Sequence, residues 1–250
     1  MDLYEAFGLS PGAIVAAVGG GGKTSLVFGL ALEAASRGLS AVVSTTTKFT
    51  RPPGAQMHPV VETTDGSAAE DLARAIVAGT VVVAISGHGD HRRMHGFTTE
   101  TFGQIAALAP GIITIEADGS ANRPFKAPAT HEPVIPDCVT DVVVCVGLSV
   151  LGHQLGDAWV QRSELAAVLA DVPVGALVTP DVVARVMLHP NGGRRAVPVG
   201  ARLHALLNNP ASTEQERLAV HIGQRLVYGG YSRAIVASAH VAGDIRAILR

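Results

Sequence analysis

The sequence is poor in aromatic residues and in charge. Phenylalanine, tyrosine and tryptophan together make up 4% of its 250 residues, with a single tryptophan, and only 16% are charged. A formal net charge of −2 gives no basic excess of the kind that holds a nucleic-acid backbone, and few rings are available to stack on bases. We therefore expect no nucleic-acid partner.

Cysteines and long apolar runs are also scarce. The two cysteines are too few for a disulfide framework. Cys145 lies in a valine-rich run that predicts a buried position, whereas the role of Cys138 stays open. Apolar runs such as TVVVAI and DVVVCVGL are far shorter than the ~18 residues that cross a bilayer. Because the first residues include Asp2 and Glu5 but no basic residue, they do not resemble a signal peptide, and we expect a cytoplasmic protein with no membrane partner.

Short β-branched runs are abundant, and stretches with helical spacing separate them. The runs that predict strands are 13–18, 40–45, 80–86, 111–117, 141–147, 175–179 and 233–238. The stretches that predict helices are 25–38, 67–79, 98–110, 162–172 and 212–229. Since the strand runs are continuously apolar, both faces of the sheet should be buried. The pattern predicts one three-layer α/β/α domain over 1–250 with a mainly parallel sheet, and loop-rich insertions near 119–137 and 186–200.

A glycine run stands between the first predicted strand and a helix that starts near Thr24. Its members are Gly19, Gly20, Gly21 and Gly22, and Lys23, Thr24 and Ser25 follow. Bare backbone before a helix N-terminus predicts a loop that binds the phosphates of a nucleotide. In that interpretation Lys23 contacts the terminal phosphates, the Thr24 hydroxyl is a Mg²⁺ ligand, and the fold is of the P-loop NTPase type. The alternative is a glycine-rich turn beside a surface lysine.

The spacing of this loop departs from the usual G-x-x-x-x-G-K-[ST] pattern. Position 17 is alanine, so the motif present is the shorter G-x-x-G-K-T of Gly19 to Thr24. This shorter form resembles the loop of Mur-type ligases, which leaves an ATP-dependent ligase or transferase open.

Two carboxylates follow another predicted strand, 111–117. Glu116 and Asp118 stand where a parallel strand delivers its side chains to the carboxyl edge of the sheet. Carboxylates suit Mg²⁺, and one of them could orient or deprotonate a water. We expect Asp118 to share the metal with Thr24, with Glu116 close behind, and Lys23, Asp118 and Glu116 to be the catalytic residues. The alternative is an acidic pair that closes a turn.

Two further segments lie at the same edge. Thr46, Thr47 and Lys48 follow the second strand and are expected near the γ-phosphate or a second substrate. The segment 119–137 carries Arg123, Lys126, His131 and Glu132, four ionisable groups that we expect to be exposed. Arg123 and Lys126 are the candidates for contact with nucleotide or substrate. The alternatives are a polar loop and a surface excursion.

Asn208 and the histidine-rich segment 88–95 complete the candidate residues. Asn208 follows an apolar run at a point where GTPases carry N-K-x-D, but Asn209 and Ala211 replace the lysine and the aspartate, so guanine selectivity is not supported. Asn208 is still expected at the base. Within 88–95 glycines interrupt the histidines, which favours Arg92 and Arg93 meeting an anion over a transition-metal site.

Several segments taken together resemble the YqeC-type proteins, over about residues 10–240. The segments are VGGGGKTS, VVSTTTKFTRP, IEADGSANRPFKAPATHEPVIP, VVVCVGLSVLG and LLNN, in that order. The third is the most specific. The resemblance implies a P-loop nucleotide-binding fold and an accessory role for selenium-dependent molybdenum hydroxylases, with an apoenzyme or a cofactor-maturation protein as partner. The family often has His-Arg where this chain has Gln161-Arg162.

The expected activity is Mg²⁺-dependent binding of a nucleoside triphosphate, ATP or GTP, with hydrolysis. Three classes stay open: a ligase or transferase that acts on a small anionic metabolite, a nucleotide-switched factor for a metalloenzyme, and a nucleotide-binding protein without turnover.

Overall fold

The computed structural model describes residues 1–50, 58–88 and 93–250. Within these residues the strands are β1 (Ala13–Gly19), β2 (Ala41–Thr45), β3 (Lys48–Thr50), β4 (Val60–Glu62), β5 (Val81–Ile85), β6 (Gly87–His88), β7 (Arg93–His95), β8 (Ile112–Glu116), β9 (Phe125–Lys126), β10 (Asp141–Gly147), β11 (Val160–Gln161), β12 (Arg202–Asn208), β13 (Arg233–Ala237) and β14 (Ile245–Leu249). The helices are α1 (Leu3–Phe7), α2 (Lys23–Ser36), α3 (Ala68–Ala75), α4 (Thr99–Ala107), α5 (Ser163–Ala170), α6 (Pro180–Leu188) and α7 (Thr213–Tyr228).

Nine of these strands form the central sheet, in the order β14-β13-β12-β10-β1-β8-β2-β5-β4. All neighbours are parallel except β13 and β14. The glycine strand β1 lies in the middle, between β8 and β10, with Ala17 opposite Glu116 and Gly19 opposite Cys145. The carboxyl ends of these strands therefore meet the glycine turn at one edge of the sheet.

Two hydrophobic cores lie on opposite faces of the sheet. Along β1, Ile14, Ala16 and Val18 face one core, and the alternate residues Ala13, Val15 and Ala17 face the other. Helices α1 and α2 cover the second core, whereas α3 to α7 contribute side chains to the first. Residues along the strands are buried without interruption because helices cover both faces of the sheet. The prediction of a three-layer α/β/α fold with a mainly parallel sheet is confirmed.

The predicted strand 175–179 is wrong. This segment is a loop whose β-pairing is limited to one isolated bridge, Gln154 to Leu177, within the described residues. Further backbone hydrogen bonds hold it, such as that from the Val178 amide to the carbonyl oxygen of His153. The Thr179 side chain caps α6 by accepting a hydrogen bond from the amide of Val182, and Pro180 is the first residue of that helix. The segment therefore leads into the N-terminus of α6. The place beside β10 is taken by β12, which was not predicted as a strand.

The two predicted insertions have different outcomes. Within 119–137, β9 pairs with β11, but most of the segment is loop. The second insertion was placed at 186–200, yet α6 continues through Leu188 and the loop begins only after it. In the described part of the chain, no helix has the length and apolarity needed to cross a membrane.

Candidate functional site

The four glycines form a tight turn between β1 and α2. Gly22 has a φ of 113° and directly precedes the first residue of the helix. A Cβ atom there would lie 2.1 Å from Nδ2 of Asn208, and one on Gly20 would lie 2.7 Å from the carbonyl oxygen of Pro124. Neighbouring atoms therefore exclude other side chains at both positions, and at Gly22 the backbone conformation does so as well.

The amides of this turn divide into two sets. The amide of Gly19 donates to both carboxylate oxygens of Asp118, at 3.1 and 3.0 Å, and that of Gly20 donates to Cys145 at 2.9 Å. Among the described residues, no acceptor receives a hydrogen bond from the amides of residues 21–24. These four N–H groups lie at the start of a 14-residue helix, where backbone donors and the helix dipole favour an anion. The second half of the turn is therefore the part that can hold phosphate oxygens.

Lys23 is a buried ammonium beside this turn. Its Nζ donates to the carbonyl oxygen of Gly19 at 2.6 Å and lies 3.3 Å from Oδ1 of Asp118. The Nζ of Lys126 lies 3.0 Å from the other oxygen of that carboxylate, so two of the three lysines in the chain share it. Burial alone would lower the pKa of Lys23, but Asp118 and then Glu116 outweigh it and raise the pKa above its ordinary value. Lys23 therefore keeps its positive charge.

Glu116, and not Asp118, is the carboxylate that contacts Thr24. The Thr24 hydroxyl donates to Oε2 of Glu116 at 2.7 Å. Glu116 is the last residue of β8, whereas two residues later the chain has left the strand and the Asp118 side chain lies against Gly19 and the two lysines. Burial raises the pKa of Glu116, and Lys23 and Thr24 act in the opposite direction.

The loop after β8 is held by ion pairs. The Nζ of Lys126 lies 2.7 Å from Oε1 of Glu132, which also forms an ion pair with Arg162. Burial would raise the pKa of Glu132, but Lys126 and Arg162 lower it below its ordinary value. Arg195 donates to the backbone carbonyls of Glu132 and Thr130, at 3.1 and 2.8 Å. The expectation of exposed charges is thus wrong for Lys126 and Glu132, because each has oppositely charged neighbours inside the protein.

A cleft of about 950 Å³ opens over the glycine turn. It is lined by predicted residues from several segments: Gly21, Gly22, Lys23, Thr24, Ser25, Thr47, Lys48, Arg93, Glu116, Arg123 and Asn208. Five predicted residues do not line it, namely Gly19, Gly20, Thr46, Asp118 and Lys126. The Thr46 hydroxyl donates to the carbonyl oxygen of Val134 at 2.6 Å, and Lys126 is 4% exposed. The cleft has the size of known small-molecule sites.

Asn208 fixes the turn from the side of β12. Its Nδ2 donates to the carbonyl oxygen of Gly21 at 3.2 Å, and its Oδ1 accepts from the amide of Ala239 at 2.9 Å. The side chain is almost fully buried, so both ends of the amide are engaged by backbone. Asn208 lies at the cleft, as expected, but its described contacts are those of a residue that shapes the glycine turn.

Comparison with known proteins identifies the family of this chain. A family model described as YqeC protein matches residues 15–164, a range that holds the glycine turn, both carboxylates and the loop after β8. The chain belongs to the YqeC family. A protein of Escherichia coli (strain K12) named Uncharacterized protein YqeC is 32% identical over 204 residues, which cover 80% of this chain and 77% of that relative.

Several cleft residues of this YqeC-family chain were not predicted as ligand contacts, and three of them have polar side chains on one wall. Ser149, Trp159 and Gln161 lie within the matched range and line the cleft, whereas Asn208 lies beyond that range. One feature of the sequence could have pointed to them, since Trp159 is the single tryptophan in a chain with few aromatic residues. Nothing in the local pattern placed it at the carboxyl edge of the sheet.

The histidine-rich segment is described only in part. His88 lies 3.4 Å from a carboxylate oxygen of Glu62, and Arg93 lines the cleft, but residues 89–92, which include Arg92, lie outside the described residues. In the ranges that are described, no cluster of three or more His, Cys, Asp and Glu side chains could hold a metal ion. Cys145 is fully buried, as predicted, and Cys138 is partly buried.

Proposed function

We propose that the protein binds a nucleoside triphosphate, ATP or GTP, together with Mg²⁺ in the cleft over the glycine turn. The observation that carries this proposal is the row of amides at residues 21–24, which have no protein acceptor among the described residues and lie beside the Lys23 ammonium. A polyphosphate supplies the acceptors that these donors lack, and its negative charge is favoured by the helix N-terminus.

The donor set at Thr24 suits Mg²⁺. One hydroxyl oxygen and one carboxylate oxygen, 2.7 Å apart, are the hard ligands that Mg²⁺ prefers, and the ion commonly keeps several waters besides. Thr24 and Glu116 would hold the ion, directly or through one of its waters. Asp118 suits the role less well, because its two oxygens already contact Lys23, Lys126 and the Gly19 amide. When bound, the ion would supply charge neutralisation on the phosphate oxygens.

The residues then have separate roles in phosphoryl chemistry. The amides of residues 21–24 orient the phosphates, and Lys23 offsets the negative charge that develops on them. Asp118 positions Lys23 through their 3.3 Å contact and fixes the turn through the Gly19 amide. The two exposed cations that line the cleft, Lys48 and Arg93, are placed to hold a second anionic group, which keeps a ligase or transferase as the second candidate.

For the wider role we propose an accessory factor in the maturation of a molybdenum-cofactor hydroxylase, acting in the cytoplasm. The support for this role is the resemblance to the family, carried most specifically by the segment from Ile115 to Pro136 that surrounds the Asp118–Lys126–Glu132 ion pairs. A nucleotide-switched factor of this kind should release phosphate slowly alone and faster with its apoenzyme partner. Phosphate release that is equally slow with and without apoenzyme would argue against this role. A phosphorylated or adduct product would favour the transferase. Nucleotide binding without phosphate release would favour a protein without turnover.

The deciding experiment is calorimetric titration with Mg²⁺-ATP, Mg²⁺-GTP and Mg²⁺-CTP. Lys23→Ala should lower the affinity for the preferred nucleotide at least tenfold, because the buried ammonium beside the phosphates is lost. Arg217→Ala is the matched control, since Arg217 is a largely exposed cation on α7. Unchanged affinity in Lys23→Ala, or no binding by the folded wild type, would overturn the proposal.

A further inference from the structure

One wall of the cleft carries polar side chains without hydrogen-bond partners in the described part of the chain. Ser149, Trp159 and Gln161 line it, and their side chains neither donate nor accept a hydrogen bond among the described residues. The Oε1 of Gln161 is shielded from solvent and still lacks a donor. A shielded acceptor without a donor is unfavourable, so this wall is incomplete by itself.

The wall also offers an aromatic ring held in a fixed orientation. The indole of Trp159 stacks on the imidazole of His153, with ring centroids 3.6 Å apart and planes within 13°. Because one face is covered by His153, Trp159 presents its other face or its edge to the cleft. An ordered indole next to an unpaired amide has the features that recognise a flat ring with N–H donors.

Two backbone connections place this wall directly against the glycine turn. Ser149 follows the end of β10, where a Cβ atom on Gly21 would lie 2.6 Å from the amide nitrogen of Gly147. Gln161 pairs in β11 with Lys126 of β9, next to the Pro124 carbonyl that packs on Gly20. A single nucleotide-sized molecule can therefore contact both the free amides and the wall.

We propose that Ser149, Trp159 and Gln161 form a subsite for a planar N-heteroaromatic ring, namely the base of the nucleotide whose phosphates the glycine turn holds. This inference rests on the proposed function. It moves base recognition away from Asn208, whose Nδ2 and Oδ1 atoms both contact backbone, at Gly21 and Ala239. The Gln161 amide turns toward the cleft and accepts from a ring N–H, and Trp159 contacts the ring plane or edge.

The single tryptophan makes the test direct, because tryptophan emission, excited selectively over the three tyrosines, comes from Trp159 alone. Mg²⁺-tripolyphosphate, Mg²⁺-ATP, Mg²⁺-GTP and the two free nucleosides are titrated, with affinity measured by calorimetry and emission recorded in parallel. We expect tripolyphosphate to bind without changing the emission. The preferred nucleotide should bind at least tenfold more tightly than tripolyphosphate and should change the emission of Trp159.

The outcomes separate the two proposals. Failure of every polyphosphate to bind would overturn the proposed function. Equal affinity for tripolyphosphate and nucleotides, or nucleotide binding without a change in Trp159 emission, would overturn the subsite and leave the proposed function standing. A free nucleoside that binds together with tripolyphosphate and changes the emission would support the subsite and assign its ring to a separate molecule.

Variants of Gln161 locate the effect. Gln161→Ala should weaken nucleotide binding at least tenfold and leave tripolyphosphate binding unchanged. Gln154→Ala is the matched control, since Gln154 lies in the same connection, is exposed and does not line the cleft. If Gln161→Ala does not fold, Gln161→Met keeps the length of the side chain but lacks the amide, and it should weaken nucleotide binding in the same way. An equal loss for tripolyphosphate and nucleotide would contradict the assignment.

Discussion

The hydroxyl of Thr24 donates a 2.7 Å hydrogen bond to Glu116, which joins the first turn of α2 to the end of β8. Asp118, two residues further, has a different set of partners, namely two ammonium groups and the amide of Gly19. Two carboxylates that look equivalent in the sequence are therefore divided between a site that suits a metal and an ion-pair network. This division has separate consequences for binding and for stability.

The first consequence concerns magnesium. Glu116→Gln should reduce at least tenfold the gain in ATP affinity that Mg²⁺ provides, about 1.4 kcal/mol, because a neutral amide is a weaker ligand than a carboxylate. Calorimetry with and without Mg²⁺ measures this gain, and Glu164→Gln on α5 is the control. Since burial raises the pKa of Glu116, the gain in the wild type should also be lost at a higher pH on acidification than a carboxyl of ordinary pKa would give. A gain that is the same in Glu116→Gln and wild type would contradict the assignment.

The second consequence concerns folding. Asp118→Asn leaves the buried Lys23 without its carboxylate and Lys126 with Glu132 alone. Removal of one partner from a buried ion pair costs about 3–5 kcal/mol, so the free energy of unfolding in urea should fall by about that amount. Asp181→Asn is the control, because Asp181 pairs with Arg185 and Arg225 near the surface. Exposed ion pairs contribute at most about 1 kcal/mol. Equal losses for the two variants would show that the Asp118 network does not stabilise the fold.

Alanine is expected to have opposite effects on stability at a glycine of the turn and at a glycine inside a helix. Gly22→Ala should destabilise the protein by at least about 1–3 kcal/mol, since alanine is strained at a φ of 113° and its Cβ would collide with Asn208. Gly103→Ala in α4 should stabilise it by about 0.5–1 kcal/mol, because no atom lies within 4 Å of the added Cβ. Thermal and urea unfolding of both variants check the signs. A neutral Gly22→Ala would mean that the turn can relax away from Asn208.

Strands could be predicted from the sequence where an apolar run is buried on both faces of the sheet. The prediction failed where strand pairing determines whether an apolar run becomes a strand or a loop. The apolar runs around Val15 and Val143 could be read as strands on their own, because both faces of the sheet are covered. The segment around Leu177 has the same composition, yet it is a loop, since Thr179 and Pro180 start α6 and β12 takes the place beside β10. Composition does not encode which of two apolar segments pairs with a strand.

The candidate site shows the same limit at the level of side chains. The glycine run and its lysine were recognisable because local backbone requirements dictate them. The order of Glu116 and Asp118 depends on where β8 ends, and the burial of Lys126 depends on partners that lie on other segments, including Glu132. Trp159 reaches the cleft through the pairing of β9 with β11, a contact between segments 35 residues apart (160 against 125). Such long-range contacts leave no periodic trace in the sequence.

A last prediction concerns the packing of α1 on α2. Both carboxylate oxygens of Glu33 accept from the first amides of α1, Leu3 at 3.2 Å and Tyr4 at 2.8 Å. Burial raises the pKa of Glu33 to about 6 from an ordinary value of 4.5, so the folded state favours the protonated form. The resulting stabilisation is complete below pH 4.5 and is lost as the pH rises through about 6.

The test compares wild type with Glu33→Gln, which keeps the shape of the side chain but does not titrate. The difference in unfolding free energy, wild type minus variant, should fall as the pH is raised from 5 to 7.5. The change should stay below the ~2 kcal/mol that a shift of this size implies, because Glu33 is partly exposed to solvent. Urea unfolding at several pH values measures it. A difference that grows with pH would mean that the two amide hydrogen bonds favour the carboxylate more than burial opposes it, and that α1 is held most tightly when Glu33 is charged.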